Sequence, residues 1–101
     1  MKESIKRQVA WIRTQGAELQ TIAEVASTDP LVEAILSLEE EFRYSDPISH
    51  VSLKTTEDNI VDDVSLLRQD VETKNLDQAS ERIVSIRNML RERNAKVFAL
   101  K

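Results

Sequence analysis

Ile5, Val9, Ile12, Gly16, Leu19, Ala23 and Ala26 follow one another at alternating spacings of four and three. A chain patterned this way can turn all seven positions to one side only as an α-helix facing a partner. The spacing therefore predicts helix 1 over roughly residues 3 to 27. Asp29-Pro30 then supplies a capping carboxylate and a proline whose missing N–H costs nothing in a first helical turn. Helix 2 is expected to start there, with the stripe Leu31, Ile35, Leu38 and Phe42, and to end before the second such dipeptide, Asp46-Pro47.

Helix 3 carries its stripe at Leu53, Ile60, Val64, Leu67 and Val71. Ile48 and Val51 fall off that stripe at 100° per residue, which predicts a break in residues 47–54. Thr55 with Asp58 fits a capping box, so the body of helix 3 is expected to begin near 55, after a short helical turn or irregular lead-in. Asn75 with Gln78 can cap helix 4, whose stripe is Leu76, Ala79, Ile83, Ile86, Leu90, Val97 and Leu100. One glycine in 101 residues leaves little for the tight turns of a β protein.

The helices can be registered by number. Folding back near Asn75 pairs residues whose numbers sum to about 150, setting Val71 against Ala79, Leu67 against Ile83, Val64 against Ile86, Ile60 against Leu90 and Leu53 against Val97. The same fold near Thr28 sets Ala26 against Leu31, Ile22 against Ile35, Leu19 against Leu38, and Gln15 or Gly16 against Phe42. Every partner in the first set is apolar. Segment charges agree: residues 1–27, 28–46, 47–74 and 75–101 carry +1, −5, −3 and +3, so each hairpin joins a more basic helix to an acidic one. The expected architecture is all-α, an antiparallel four-helix arrangement built from two helical hairpins, forming one domain over residues 1–101.

Three positions depart from the pattern and carry specific expectations. Gly16 occupies a stripe slot, and the register makes it the space for the Phe42 ring. Glu57 and Arg93 interrupt the stripes of helices 3 and 4 at numbers that sum to about 150, which predicts an ion pair serving register. Helix 1 outruns helix 2, so Ile5, Val9 and Ile12, with Trp11 on their flank, are the candidate interface, for a homodimer or another partner. The competing expectation is that Trp11 caps the monomer's own core against Ile48 and Val51.

Few residues offer chemistry. The absence of cysteine excludes a disulfide framework, a thiol nucleophile and Cys-type zinc, and the single histidine, His50, cannot supply paired metal ligands. Glu39-Glu40-Glu41 and Glu57, Asp58, Asp62, Asp63 bring to mind the helical carboxylates that hold magnesium in all-α nucleotide pyrophosphohydrolases. The paired Glu-x-x-Glu and Glu-x-x-Asp motifs of that family are not present in usable form, so these read as solvated acidic faces, with no metal or cofactor. Helix 4 also carries Arg82, Arg87, Arg91, Arg93 and Lys96, of which Arg87 and Arg91 on one side of its apolar seam and Arg82 and Lys96 on the other read as rim residues. Without interleaved aromatics, and at a net charge of −4, direct nucleic-acid binding is not expected.

His50 carries two resemblances. A small acidic helical bundle with one histidine resembles histidine phosphotransfer domains, in which a lysine three residues on and then a glycine accompany the phosphorylated ring; here Lys54 is four residues on and no glycine follows. Arg43, six intervening residues and His50 resemble the Arg-x(4–6)-His motif of HEPN-type ribonucleases, with Tyr44 in place of the polar neighbour and Asp46-Pro47 between the pair. The principal expectation is a non-catalytic interaction module, or a structural or regulatory subunit, presenting a helix surface to another protein or to a second copy. A His50-dependent activity, with Arg43 if it is RNA cleavage, is the alternative. The N-terminal residues lead into no unbroken apolar run, so neither a signal peptide nor a membrane span is expected, and the expected location is cytoplasmic.

Overall fold

The computed structural model describes residues 2–27, 30–47 and 50–100; for residues 2–9 it describes the helical backbone and not the side chains. The elements in chain order are α1 (Lys2–Ala26), α2 (Val32–Arg43), a single 3-10 turn (Val51–Leu53), α3 (Lys54–Glu72) and α4 (Leu76–Leu100). No strand occurs among the described residues. The hairpins α1–α2 and α3–α4 pack internally and on each other, α1 against α3 and α2 against α4, giving a body of 41 × 22 × 19 Å.

The stripes explain the packing. Leu19, Ile22, Ile35, Leu38 and Phe42 from one hairpin and Leu53, Ile60, Leu67, Ile86 and Leu90 from the other are fully buried. All ten apolar residues registered between helices 3 and 4 are buried. At about 25 cal/mol per Å² of apolar surface, such contiguous burial is what holds helices of modest intrinsic stability together. Leu100, assigned to the α4 stripe, is instead exposed, because the helix runs past the level its neighbours reach.

The connections are set by local chemistry. Asn75 caps α4 reciprocally: its Oδ1 accepts from the Gln78 backbone N–H at 3.3 Å while its Nδ2 donates to Gln78 Oε1 at 2.9 Å. At the end of α3, Lys74 adopts the left-handed conformation with φ 62°. The Lys74 N–H then donates to the Val71 carbonyl and the Asn75 N–H to the Asp70 carbonyl, satisfying two carbonyls the helix would otherwise leave open.

The start of helix 2 and the cap of helix 3 need correction, while helix 3 itself begins at the expected level. α2 begins at Val32, Pro30 and Leu31 forming a turn ahead of it, and the proposed Asp29 cap lies outside the described residues. The Thr55–Asp58 capping box does not form, because helical geometry already runs from Lys54, where Lys54 Nζ holds Asp58 Oδ2 at 3.0 Å. The lead-in is the 3-10 turn, and His50 is its cap: Nδ1 accepts from the Ser52 N–H at 3.1 Å. Of the two apolar residues in this stretch, Ile48 lies outside the described residues and Val51 faces solvent.

Candidate functional site

α2 spans 12 residues, about 18 Å of helix, against 25 residues and about 37 Å for α1 and for α4. The bundle therefore has a closed end, at the two hairpin turns, and an open end, where the N-terminal half of α1, the 3-10 turn and the C-terminal turns of α4 extend beyond α2. Polar chemistry concentrates at the boundary between the two.

Its centre is Arg93, whose guanidinium is fully buried. Nε donates to Glu57 Oε2 at 3.1 Å, while Nη1 donates to the Asp46 backbone carbonyl and, at 3.0 Å, to Asn94 Oδ1. The guanidinium also lies over the Trp11 ring, 5.3 Å from its centroid. Planar, five-donor geometry lets one cation serve a carboxylate, a carbonyl and an aromatic face together, which a lysine ammonium could not do. Asn94 Nδ2 extends the network to Ser45 Oγ at 2.9 Å, and Ser45 donates back to the Glu41 carbonyl at 2.6 Å. The segment that follows α2 is thus tied to α4 from inside the bundle.

Trp11 belongs to this knot. Its ring lies 6.0 Å from Phe42 at a 39° tilt, half-buried against the core, and its indole Nε1 is buried without a hydrogen-bond partner. Ile12 is a core residue. Of the expected interface strip, Ile12 is thus withdrawn into the core and the Trp11 ring is half-buried against it. Ile5 and Val9, the rest of that strip, have side chains outside the described residues. Val51 does not cover Trp11 either, since it is 82% exposed.

Between α1 and α2 runs a cleft of about 420 Å³ lined by Ile12, Gly16 and Ala17 on one side and Glu39, Arg43 and Pro47 on the other. Glu39 is buried there and satisfied: Arg43 Nη2 reaches Oε2 at 2.7 Å and Oε1 at 3.0 Å, and Gln20 Nε2 reaches Oε1 at 3.3 Å. The hydrogen bonding of Arg43 to Glu39, with the charge of the same carboxylate, raises the Arg43 guanidinium pKa above its ordinary value. Gly16 lies opposite Glu39 and makes no room for Phe42. A Cβ built on it would meet only Glu39 Oε1, at 3.9 Å, so the expected overpacking at this position is corrected.

Arg43 and His50 do not meet among the described residues. The first is committed to Glu39, and the second, exposed, to its own turn through Ser52, whose Oγ also lies 2.9 Å from Nδ1. No group of three His, Asp or Glu side chains among the described residues is placed to hold a metal ion, and no described helix is long and apolar enough to cross a membrane. Three other arginines of α4 line its rim: Arg87 Nε pairs with Glu41 at 2.6 Å, Arg91 Nε with the same carboxylate at 3.2 Å, and Arg82 Nε with Asp70 at 3.2 Å.

Burial of Glu39 and Asp70 is absent from the periodicity reading. Asp70 was within reach of the same register arithmetic, because its number and that of Arg82 also sum close to about 150. Glu39 was signalled only by an arginine four residues on. Among the described residues, Phe98 at the open end is 81% exposed, and Val51 stands level with it in the α3–α4 register. No family model, no curated protein and no solved structure matches this chain.

Proposed function

We propose that this chain is a non-catalytic interaction module that binds another protein, or a second copy of itself, through the open end of the bundle. The observation that carries the reading is the exposure of Val51 and Phe98 at one level of the same hairpin, beyond the reach of α2. A valine and a phenylalanine left almost wholly in water at one end of a bundle that buries most of its stripe residues are typical of a surface completed by association. Arg93 supports it from behind, tying α4 to α3 and to the segment that follows α2 so that little ordering is left to occur on binding. A cytoplasmic setting belongs to the same proposal.

The test is capture from native lysate with wild type and with the double variant Val51→Ser/Phe98→Ser, alongside sedimentation of both. A partner, or a dimer, present with wild type and absent with the folded variant is the expected result. Identical capture and identical sedimentation would remove the open end from consideration. Retention of all binding by the double variant, together with phosphoryl transfer or RNA cleavage lost on His50→Ala, would favour the histidine-dependent alternative.

A further inference from the structure

The cleft between α1 and α2 offers a second surface, whose lining includes neither Val51 nor Phe98. Arg13 lines it, exposed, and has no acidic partner among the described residues. This sets it apart from its neighbours. Arg43, Arg68, Arg82, Arg87, Arg91 and Arg93 each hold a carboxylate within 4.0 Å. The Glu39 carboxylate inside the cleft is already answered by Arg43 and Gln20, so the charge left open there is positive, in a chain whose net charge is −4.

The floor has a matching shape. Gly16 and Ala17 keep the α1 side low, and the space above Gly16 is open apart from Glu39 Oε1 at 3.9 Å. A groove between two antiparallel helices, apolar at its base and with one unanswered guanidinium on its rim, fits an amphipathic helix that places an apolar side chain in the groove and a carboxylate beside it. The geometry points to a docking site for an acidic amphipathic helix of another protein, its Asp or Glu paired with Arg13 and its Leu- or Met-sized side chain seated over Gly16 and Ala17. Nucleic-acid phosphate would also answer Arg13, yet it would leave the apolar floor uncovered, and no exposed aromatic lines the cleft to stack a base.

The experiment is a selection of displayed amphipathic 14-residue helical peptides, about half of the polar positions randomised between Glu, Lys and Gln, on the full chain. Enriched peptides should be acidic, should bind Arg13→Glu about tenfold or more weakly, and should regain affinity on Arg13→Lys. Gly16→Leu, which fills the floor, should abolish binding while circular dichroism reports an intact bundle. Enriched peptides without acidic bias, peptides indifferent to Arg13→Glu, or no enrichment would each overturn the proposal. So would a labelled single-stranded oligonucleotide bound in an Arg13-dependent way. Peptides lost only on Val51→Ser/Phe98→Ser would overturn this site while leaving the open-end reading in place.

Discussion

Arg93 Nε donates to Glu57 Oε2 at 3.1 Å across the α3–α4 hairpin, both side chains being withdrawn from solvent and 36 residues apart in the chain. Removing one member breaks a charge pair that is withdrawn from water. Arg93→Ala should therefore destabilise by about 3–5 kcal/mol in urea titration, whereas Glu57→Leu/Arg93→Met should lie within about 1–2 kcal/mol of wild type. A cycle of Glu57→Leu, Arg93→Met and the double variant should give a clearly non-zero coupling energy.

Gly16→Ala should raise stability by up to about 1 kcal/mol, seen as an increased thermal midpoint. Helix propensity favours alanine at this interior position, and the added methyl meets only Glu39 Oε1 in ordinary contact. A lowered midpoint would show that the cleft has less space above Gly16 than the geometry gives it.

Ser27 ends α1 at φ 57°, a left-handed conformation that costs a non-glycine residue roughly 1 kcal/mol. Ser27→Gly should recover part of that cost, about 0.5–1 kcal/mol by chemical denaturation. Ser27→Val, whose branched Cβ tolerates the region least, should lose stability.

Trp11, the one tryptophan, reports on the knot directly. Its emission should be blue-shifted in the native state and move to the red on unfolding. Trp11→Ala should cost about 3–5 kcal/mol, while Trp11→Phe should cost far less, because the phenyl ring keeps an aromatic face for Arg93 and removes an indole N–H that is buried without a partner.

Much of this architecture is legible in the sequence because apolar period and antiparallel register are nearly one-dimensional properties. Counting inward from Asn75 locates the Glu57–Arg93 level as readily as Ile60–Leu90. What resists that arithmetic depends on a third helix. Burial of Ile12, the inward turn of Trp11 and the pairing of Glu18 with Arg68 at 2.9 Å all arise where one hairpin lies on the other, and no spacing within a hairpin encodes the angle between the two. Gly16 misleads for a related reason. The register gives its level on α1 correctly, but rotation about the helix axis turns it to Glu39 instead of Phe42. His50 as a cap was hidden because a ring nitrogen that accepts from the backbone two residues on leaves no periodic trace.

The central claim, that the open end is a binding surface, is tested most directly by site-specific photocrosslinking in native cells. A benzophenone side chain placed at Phe98 is compared with one at Ser80, an exposed position on the same helix near the closed end. A discrete adduct is expected from position 98, to another protein or to a second copy of the chain, and none from position 80. No adduct at 98, or the same adducts at both positions, would contradict the claim.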